Sequence, residues 1–257
     1  MPSIRRLLAG LGAAAAAAGL VALVGGPWLR VTDVTWAGEQ FTAQRDLERV
    51  LERQRGTSLL AVDTRSLRER LERLPAVAEA TVTASLPGHL QVSIVEREAA
   101  FVWETSSAQL LGAADGTLFA ALASDATLDA DAAALPRVSD ERAMARLMRA
   151  GDRIPEALLR TALRLASLDP AALGSNAERL GVRIDDEFGL GLVAAEPGWE
   201  MAFGVYGTDP NETARDAAAR LERQVTAVRT LFASRAEAEI GWVDARNPGK
   251  VYFRAKG

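Results

Sequence analysis

The chain holds one histidine and no cysteine, so any side-chain catalysis has to be sought first around a single imidazole. His89 stands in S-L-P-G-H-L, residues 85–90, between two apolar stretches. A general base works only with a nucleophile and an orienting group in the same site, and Ser85 and Glu96 are the neighbours that could serve. The remaining parts are missing: the sequence contains no G-x-S-x-G, no G-x-x-x-x-G-K-[ST] and no G-x-G-x-x-G. With one histidine and no thiolate, a zinc site of the usual composition cannot be built. Asp125, Asp129 and Asp131 lack the glycine and terminal glutamate of a calcium loop and read as solvated. The 34 acidic residues show no spacing that singles out a hydrolytic carboxylate pair. No catalytic, cofactor-binding or metal-binding residue is assigned, no cofactor is expected, and His89 reads as a solvated turn residue.

The elements that would position such groups follow from hydrophobic periodicity. R-V-T-D-V-T-W, residues 30–36, is β-branched and aromatic and predicts a strand closed by Gly38. A helix over F-T-A-Q-R-D-L-E-R-V-L-E-R-Q-R-G follows, with Thr42 as its N-cap, Leu47, Val50 and Leu51 on one face and Gly56 as its stop. A second helix starts near Asp63 with Leu67, Leu71 and Leu74 in register, and Pro75 prevents its continuation. Residues 77–84 and 90–96 then alternate as two half-buried strands, with Ala78, Ala80, Val82 and Ala84 on one face of the first. Pro87 and Gly88 join them as a hairpin.

Beyond residue 97 the pattern changes to short strands. Residues 97–122 predict two or three antiparallel strands turning at Asp115-Gly116, and residues 157–168 predict a helix. Strand-like segments recur in E-R-L-G-V-R-I-D, G-L-G-L-V-A-A-E and W-E-M-A-F-G-V-Y-G. A long helix then carries Ala214, Ala218, Leu221, Val225, Val228 and Phe232 as an apolar stripe, with Asn211 as its cap. The closing strands are A-E-I-G-W-V-D-A and K-V-Y-F-R.

The N-terminus bears on location. After M-P-S-I-R-R comes an uncharged run, residues 7–28, that as a helix would reach about 33 Å against a hydrocarbon core of about 30 Å. Arg5 and Arg6 before it favour a cytoplasmic N-terminus and export of everything beyond Arg30. A cleaved signal peptide is the alternative, and it too exports the rest. The expected divisions are a cytoplasmic tail at 1–6, a transmembrane signal anchor at 7–29 and two exported domains at 30–98 and 99–257. Setting Arg5 and Arg6 aside leaves 28 basic against 34 acidic residues in no long block, which argues against nucleic acid as a partner and against adhesion to an anionic lipid surface.

Four segments give the first exported domain a family resemblance: V-T-W-A-G-E at 34–39, G-T-S-L-L-A-V-D at 56–63, the helix and strand at 67–82, and L-P-G-H-L-Q-V-S-I-V-E-R-E at 86–98. Their order and spacing resemble the POTRA domain of the bacterial cell-division family FtsQ, called DivIB in Gram-positive bacteria. D-G-T-L-F at 115–119, L-P-R-V at 135–138 and V-D-A-R-N-P-G-K-V-Y-F-R at 243–254 resemble the family's second domain in the same order. Glu39 stands where the family usually has asparagine, and the stretch 121–135 is longer and richer in alanine.

The resemblance implies an α+β fold: an N-terminal transmembrane helix, a POTRA domain of β-α-α-β-β order, then a mostly antiparallel β domain with a long C-terminal helix. It further implies a non-catalytic divisome scaffold of the inner membrane and septum, linking early and late division proteins. Its partners would be FtsB-like and FtsL-like proteins, with other divisome proteins at the POTRA domain. A strand that ends a chain often lies at a sheet edge, where unpaired N–H and C=O groups accept a strand from another protein. On that resemblance Lys250, Val251, Tyr252, Phe253 and Arg254 are the candidate partner-binding residues. The competing readings are a POTRA-bearing envelope export or assembly factor and a secreted cell-wall enzyme of unrecognised type.

Overall fold

The structure, a computed structural model, describes residues 29–122, 134–209 and 211–256. The predicted tail, nearly all of the predicted membrane span and most of the alanine-rich stretch lie outside those residues. Among the described residues no helix is long and apolar enough to cross a membrane. The chain divides into two compact units between Arg97 and Glu98.

In the first unit the order is β1 (Asp33–Ala37), α1 (Gln44–Leu51), α2 (Thr64–Leu71), β2 (Val77–Ser85) and β3 (His89–Glu96). The sheet order is β1-β3-β2, with β1 parallel to β3 and β2 antiparallel to it. The tight hairpin forces the antiparallel pair, whereas a parallel pair needs a long crossover, which the two helices supply. Leu47 and Leu51 of α1 and Leu67 and Leu71 of α2 are buried against Val34, Leu90, Val92 and Ile94 of the sheet. Each such side chain contributes about 1.5–3 kcal/mol by leaving water. Gly88 fits the hairpin because a Cβ there would stand 2.5 Å from the Arg30 carbonyl oxygen, at a φ of +142°. Its own carbonyl accepts from Thr32 N–H at 2.9 Å, which fastens the hairpin to the start of β1.

Two sequence expectations for this unit are corrected. Ala78 is exposed while Val77 and Ala80 are both buried, because a register shift between Val77 and Glu79 breaks the alternation. Thr42 does not cap α1: the N-cap is Ala43, which offers no side-chain acceptor. The turn ahead of the helix is held instead from the far end of β3. The Glu96 carboxylate takes N–H bonds from Gln40 at 2.8 Å, Phe41 at 2.7 Å and Thr42 at 2.6 Å. Partial burial pushes its pKa up, but these bonds outweigh burial and hold it below the ordinary carboxylate range.

The second unit contains β4 (Phe101–Thr105), β5 (Gln109–Gly112), β6 (Leu118–Leu122), β7 (Arg137–Asp140), α3 (Glu156–Ala166), β8 (Gly181–Asp185), β9 (Gly189–Ala194), β10 (Trp199–Gly204), α4 (Ala214–Ser234), β11 (Ile240–Asp244) and β12 (Tyr252–Ala255). All nine strands form one sheet in the order β12-β11-β10-β9-β8-β7-β4-β5-β6. Neighbours are mostly antiparallel; the parallel pairs are β4 with β7, β7 with β8, and β10 with β11. The β8–β9–β10 meander needs only short turns, while α4 returns the chain so that β11 runs parallel to β10.

The core of this unit takes Leu158, Ala162 and Leu165 from α3 and Leu221, Val225, Val228 and Phe232 from α4. Three details of α4 differ from expectation. Its cap is Thr213, in a reciprocal capping box with Asp216, rather than Asn211. Ala217, not Ala218, is the buried alanine. Gln224, fully buried, interrupts the apolar stripe.

Burial of polar groups here is matched by bonding. Asp140, 1% exposed, accepts from the Trp103 indole at 3.1 Å and from the Arg142 guanidinium at 2.8 and 2.7 Å. Glu237, 7% exposed, accepts from the Trp199 indole at 2.6 Å, the Asn176 backbone N–H at 2.8 Å, the Asn176 side-chain amide at 3.2 Å and the Ser175 hydroxyl. Burial raises the Glu237 pKa, yet these donors together keep it below the ordinary range.

Both Glu96 and Glu237 therefore contribute stability that is fully present above the unfolded-state pKa of about 4.3 and is lost as pH falls through their depressed folded-state values. Glu96→Gln should destabilise the first unit by about 1–2 kcal/mol at pH 7. The deficit relative to wild type should be smaller at pH 3 than at pH 7, because wild-type stability falls as the carboxylate takes up a proton. Urea unfolding at the two pH values checks this, and an equal deficit at both would refute the charge-assisted role.

Candidate functional site

β12 forms one edge of the nine-stranded sheet and β6 forms the other. The two edges differ in burial: Leu118, Phe119 and Ala120 of β6 are buried, whereas every residue of β12 is exposed. The strand is nevertheless well seated on β11, with Asp244 opposite Tyr252, Val243 opposite Phe253 and Trp242 opposite Arg254. β11 is fixed beneath it because Ile240, Val243 and Ala245 are buried in the core.

Backbone alternation decides which groups of β12 are available. The Lys256 N–H donates to the Glu239 carbonyl at 2.8 Å, so residue 256 faces inward. By the two-residue period of a strand, Tyr252 and Arg254 also turn their N–H and C=O toward β11, and Val251, Phe253 and Ala255 turn theirs to the open edge. Among the described residues β12 pairs with β11 alone.

The side chains around this edge are aromatic and cationic. Tyr252 is 57% and Phe253 40% exposed. The Arg254 guanidinium lies 4.7 Å from the Trp242 ring centroid, and Trp242 in turn lies 5.3 Å from Phe188. On the other face of the strand the Arg235 guanidinium is 5.7 Å from the Phe253 ring. Beside it, a groove of about 640 Å³ runs between α4 and the turn before β12, lined by Arg223, Thr226, Ala227, Leu231 and Val251 among others. Arg246 donates to the Asp244 carboxylate at 2.9 and 2.7 Å, raising the arginine pKa and lowering that of the aspartate.

The five candidate residues are thus brought to one edge, but not all belong to the strand. Lys250 and Val251 precede it; Lys250 is exposed and Val251 packs against the core. Tyr252, Phe253 and Arg254 lie in β12 itself. The sequence reading missed the support from Trp242, Phe188 and Arg235, since each ring and its arginine come from different segments.

His89 is not brought into any comparable assembly. Its Nδ1 lies 3.3 Å from an exposed Asp33 carboxylate oxygen, across the β1–β3 pair. Ser85 stands opposite it in the hairpin, and Glu96 is engaged at the other end of β3. Among the described residues no three His, Asp or Glu side chains are grouped as metal ligands, and Asp125, Asp129 and Asp131 lie outside those residues.

Phe253→Ala and Tyr252→Ala remove exposed rings and should each shift stability by no more than about 1 kcal/mol, or a few degrees in Tm. Differential scanning calorimetry checks this; a loss near that of a core leucine would mean that the rings serve the fold rather than the surface.

Residues 29–97 match the family model described as POTRA domain, FtsQ-type. The chain is also 32% identical over 122 residues to the cell division protein FtsQ of Streptomyces venezuelae. That alignment covers 47% of this chain and 45% of the relative, so the chain spans somewhat less than half the length of the curated relative it matches. The first folded unit is thus similar to an FtsQ-type POTRA domain, and about half of the chain is similar to part of a cell division protein FtsQ.

Proposed function

We propose that the protein is a non-catalytic cell-division scaffold that holds FtsB-like and FtsL-like partners through β12 and links early to late division proteins at the septum. The observation that carries this reading is the exposed edge strand β12, which among the described residues pairs with β11 alone. Its kinship to an FtsQ supplies the context of cell division. Strand addition would give affinity through backbone bonds, while Tyr252, Phe253 and Arg254 would give specificity through alternate side-chain contacts. The POTRA unit would offer a separate surface to other divisome proteins. Residues 7–29 would anchor the chain in the inner membrane, with both folded units exported.

Backbone pairing makes a sharp prediction. Phe253→Pro removes an outward donor without touching an inward one, so it should weaken capture of FtsB-like and FtsL-like proteins by about tenfold or more while β11 pairing survives. Pull-down with wild type, Phe253→Pro and Phe253→Ala separates backbone from side-chain contributions. Undiminished capture by the proline variant would exclude β12 as the main contact. In the host, depletion of the protein should lengthen cells and block septation, and normal septation by microscopy would overturn the division role.

A further inference from the structure

Both ends of β12 are fastened by polar groups buried elsewhere in the second unit. At the leading end, the side-chain amide of Gln224 in α4 donates to the Phe203 carbonyl at 2.8 Å and to the Arg246 carbonyl at 3.3 Å. Its oxygen accepts from the Tyr206 hydroxyl at 2.5 Å. Phe203 is in β10 and Arg246 begins the connection to β12, so one amide joins the long helix, the neighbouring strand and the approach to the edge. At the trailing end, Glu237 opens the short turn Glu237–Glu239 that leads into β11. Its carboxylate nails that turn to Trp199, Ser175 and Asn176. Glu239 then presents the carbonyl that receives the Lys256 N–H, and the Lys256 ammonium donates to the Pro197 carbonyl.

Neither buried group is explained by the core alone. Gln224 occupies a position that an apolar residue would fill in an ordinary helix stripe, and a buried amide is tolerated only if its donors and acceptor are used. Glu237 is a carboxylate with almost no exposure, and it too is tolerated only through its donors. What the two share is that each fixes a segment adjoining β12: Gln224 holds the Arg246 end of the β11–β12 connection, and Glu237 holds the turn whose Glu239 carbonyl receives the Lys256 N–H. The strand itself has no buried side chain to hold it: all four of its residues are exposed.

We infer that Gln224 and Glu237 are positioning residues for the β12 edge, fixing the strand at both ends so that its outward backbone groups are presented in one register. The consequence for binding rests on the partner reading given above; the fastening of the strand does not. A strand ordered beforehand loses less conformational freedom when another chain pairs with it, so the two residues would act on affinity without touching the partner.

The test is site-resolved hydrogen exchange on the whole protein carrying Gln224→Leu or Glu237→Gln. Amides of Tyr252, Arg254 and Lys256, which face β11, should exchange about tenfold faster or more in both variants, while those of β8 and β9 keep their wild-type protection. Unchanged exchange at these three amides would overturn the inference. So would a uniform rise across the sheet, which would mean only general destabilisation. Glu237→Gln keeps the size and polarity of the side chain, and Trp199 fluorescence reports whether its pocket is intact. If the β12 amides are released but capture of FtsB-like and FtsL-like proteins is unchanged, the positioning role stands and the partner reading fails.

Discussion

A carboxylate can be buried only where donors replace the water it gives up, and Glu237 meets that condition by drawing three separate segments together. The Ser175–Asn176 loop, the start of β10 at Trp199 and the turn before β11 converge on its two oxygens. β11 then carries β12, so the outer third of the sheet depends on a charge that, among the described residues, is met by the N–H and O–H dipoles of these donors. Glu96 plays a corresponding part in the first unit with less burial. It is only partly covered, yet by accepting three successive N–H groups it closes the loop between β1 and α1. In each unit an acid at or beyond a strand end determines where the next element can begin.

Much of the first unit was legible because its elements are short, amphipathic and joined by residues with strong local preferences. Leu47, Leu51, Leu67 and Leu71 repeat at helical spacing, Leu90, Val92 and Ile94 alternate, and Pro87-Gly88 turns the chain. The errors fell where a tertiary contact replaced a local one. Thr42 has the right side chain for a cap, but its backbone N–H is engaged by Glu96, more than fifty residues away, and the N-cap falls one residue later at Ala43. Ala78 fits the alternation, but a bulge moved it to the exposed face.

In the second unit the strands other than β7 were readable and their order was not. Periodicity assigns β8, β9 and β10 from sequence, yet nothing local says that β7, four residues of mixed burial, lies between β4 and β8 in parallel with both. Parallel neighbours are chosen by packing of the whole layer rather than by a turn. The candidate site was half legible for the same reason. K-V-Y-F-R could be found by its terminal position and family resemblance, whereas Trp242, Arg235, Gln224 and Glu237 come to it from α4, β11 and the connections between them. Gln224 did leave a trace, as a polar residue inside an apolar stripe, but the stripe was read past it.

The unequal edges of the large sheet fit this division of labour. An exposed edge strand invites unwanted pairing unless it is short, twisted or charged. β6 avoids the hazard by burying most of its side chains. β12 is only four residues long, follows Lys250, carries Arg254 and precedes Lys256. Those three cations repel a second copy of the same strand, and two of them already have attachments: Arg254 to the Trp242 ring and Lys256 to the Pro197 carbonyl. An edge that repels a copy of itself fits the role proposed for β12, in which a partner strand would have to match both its backbone spacing and its charge.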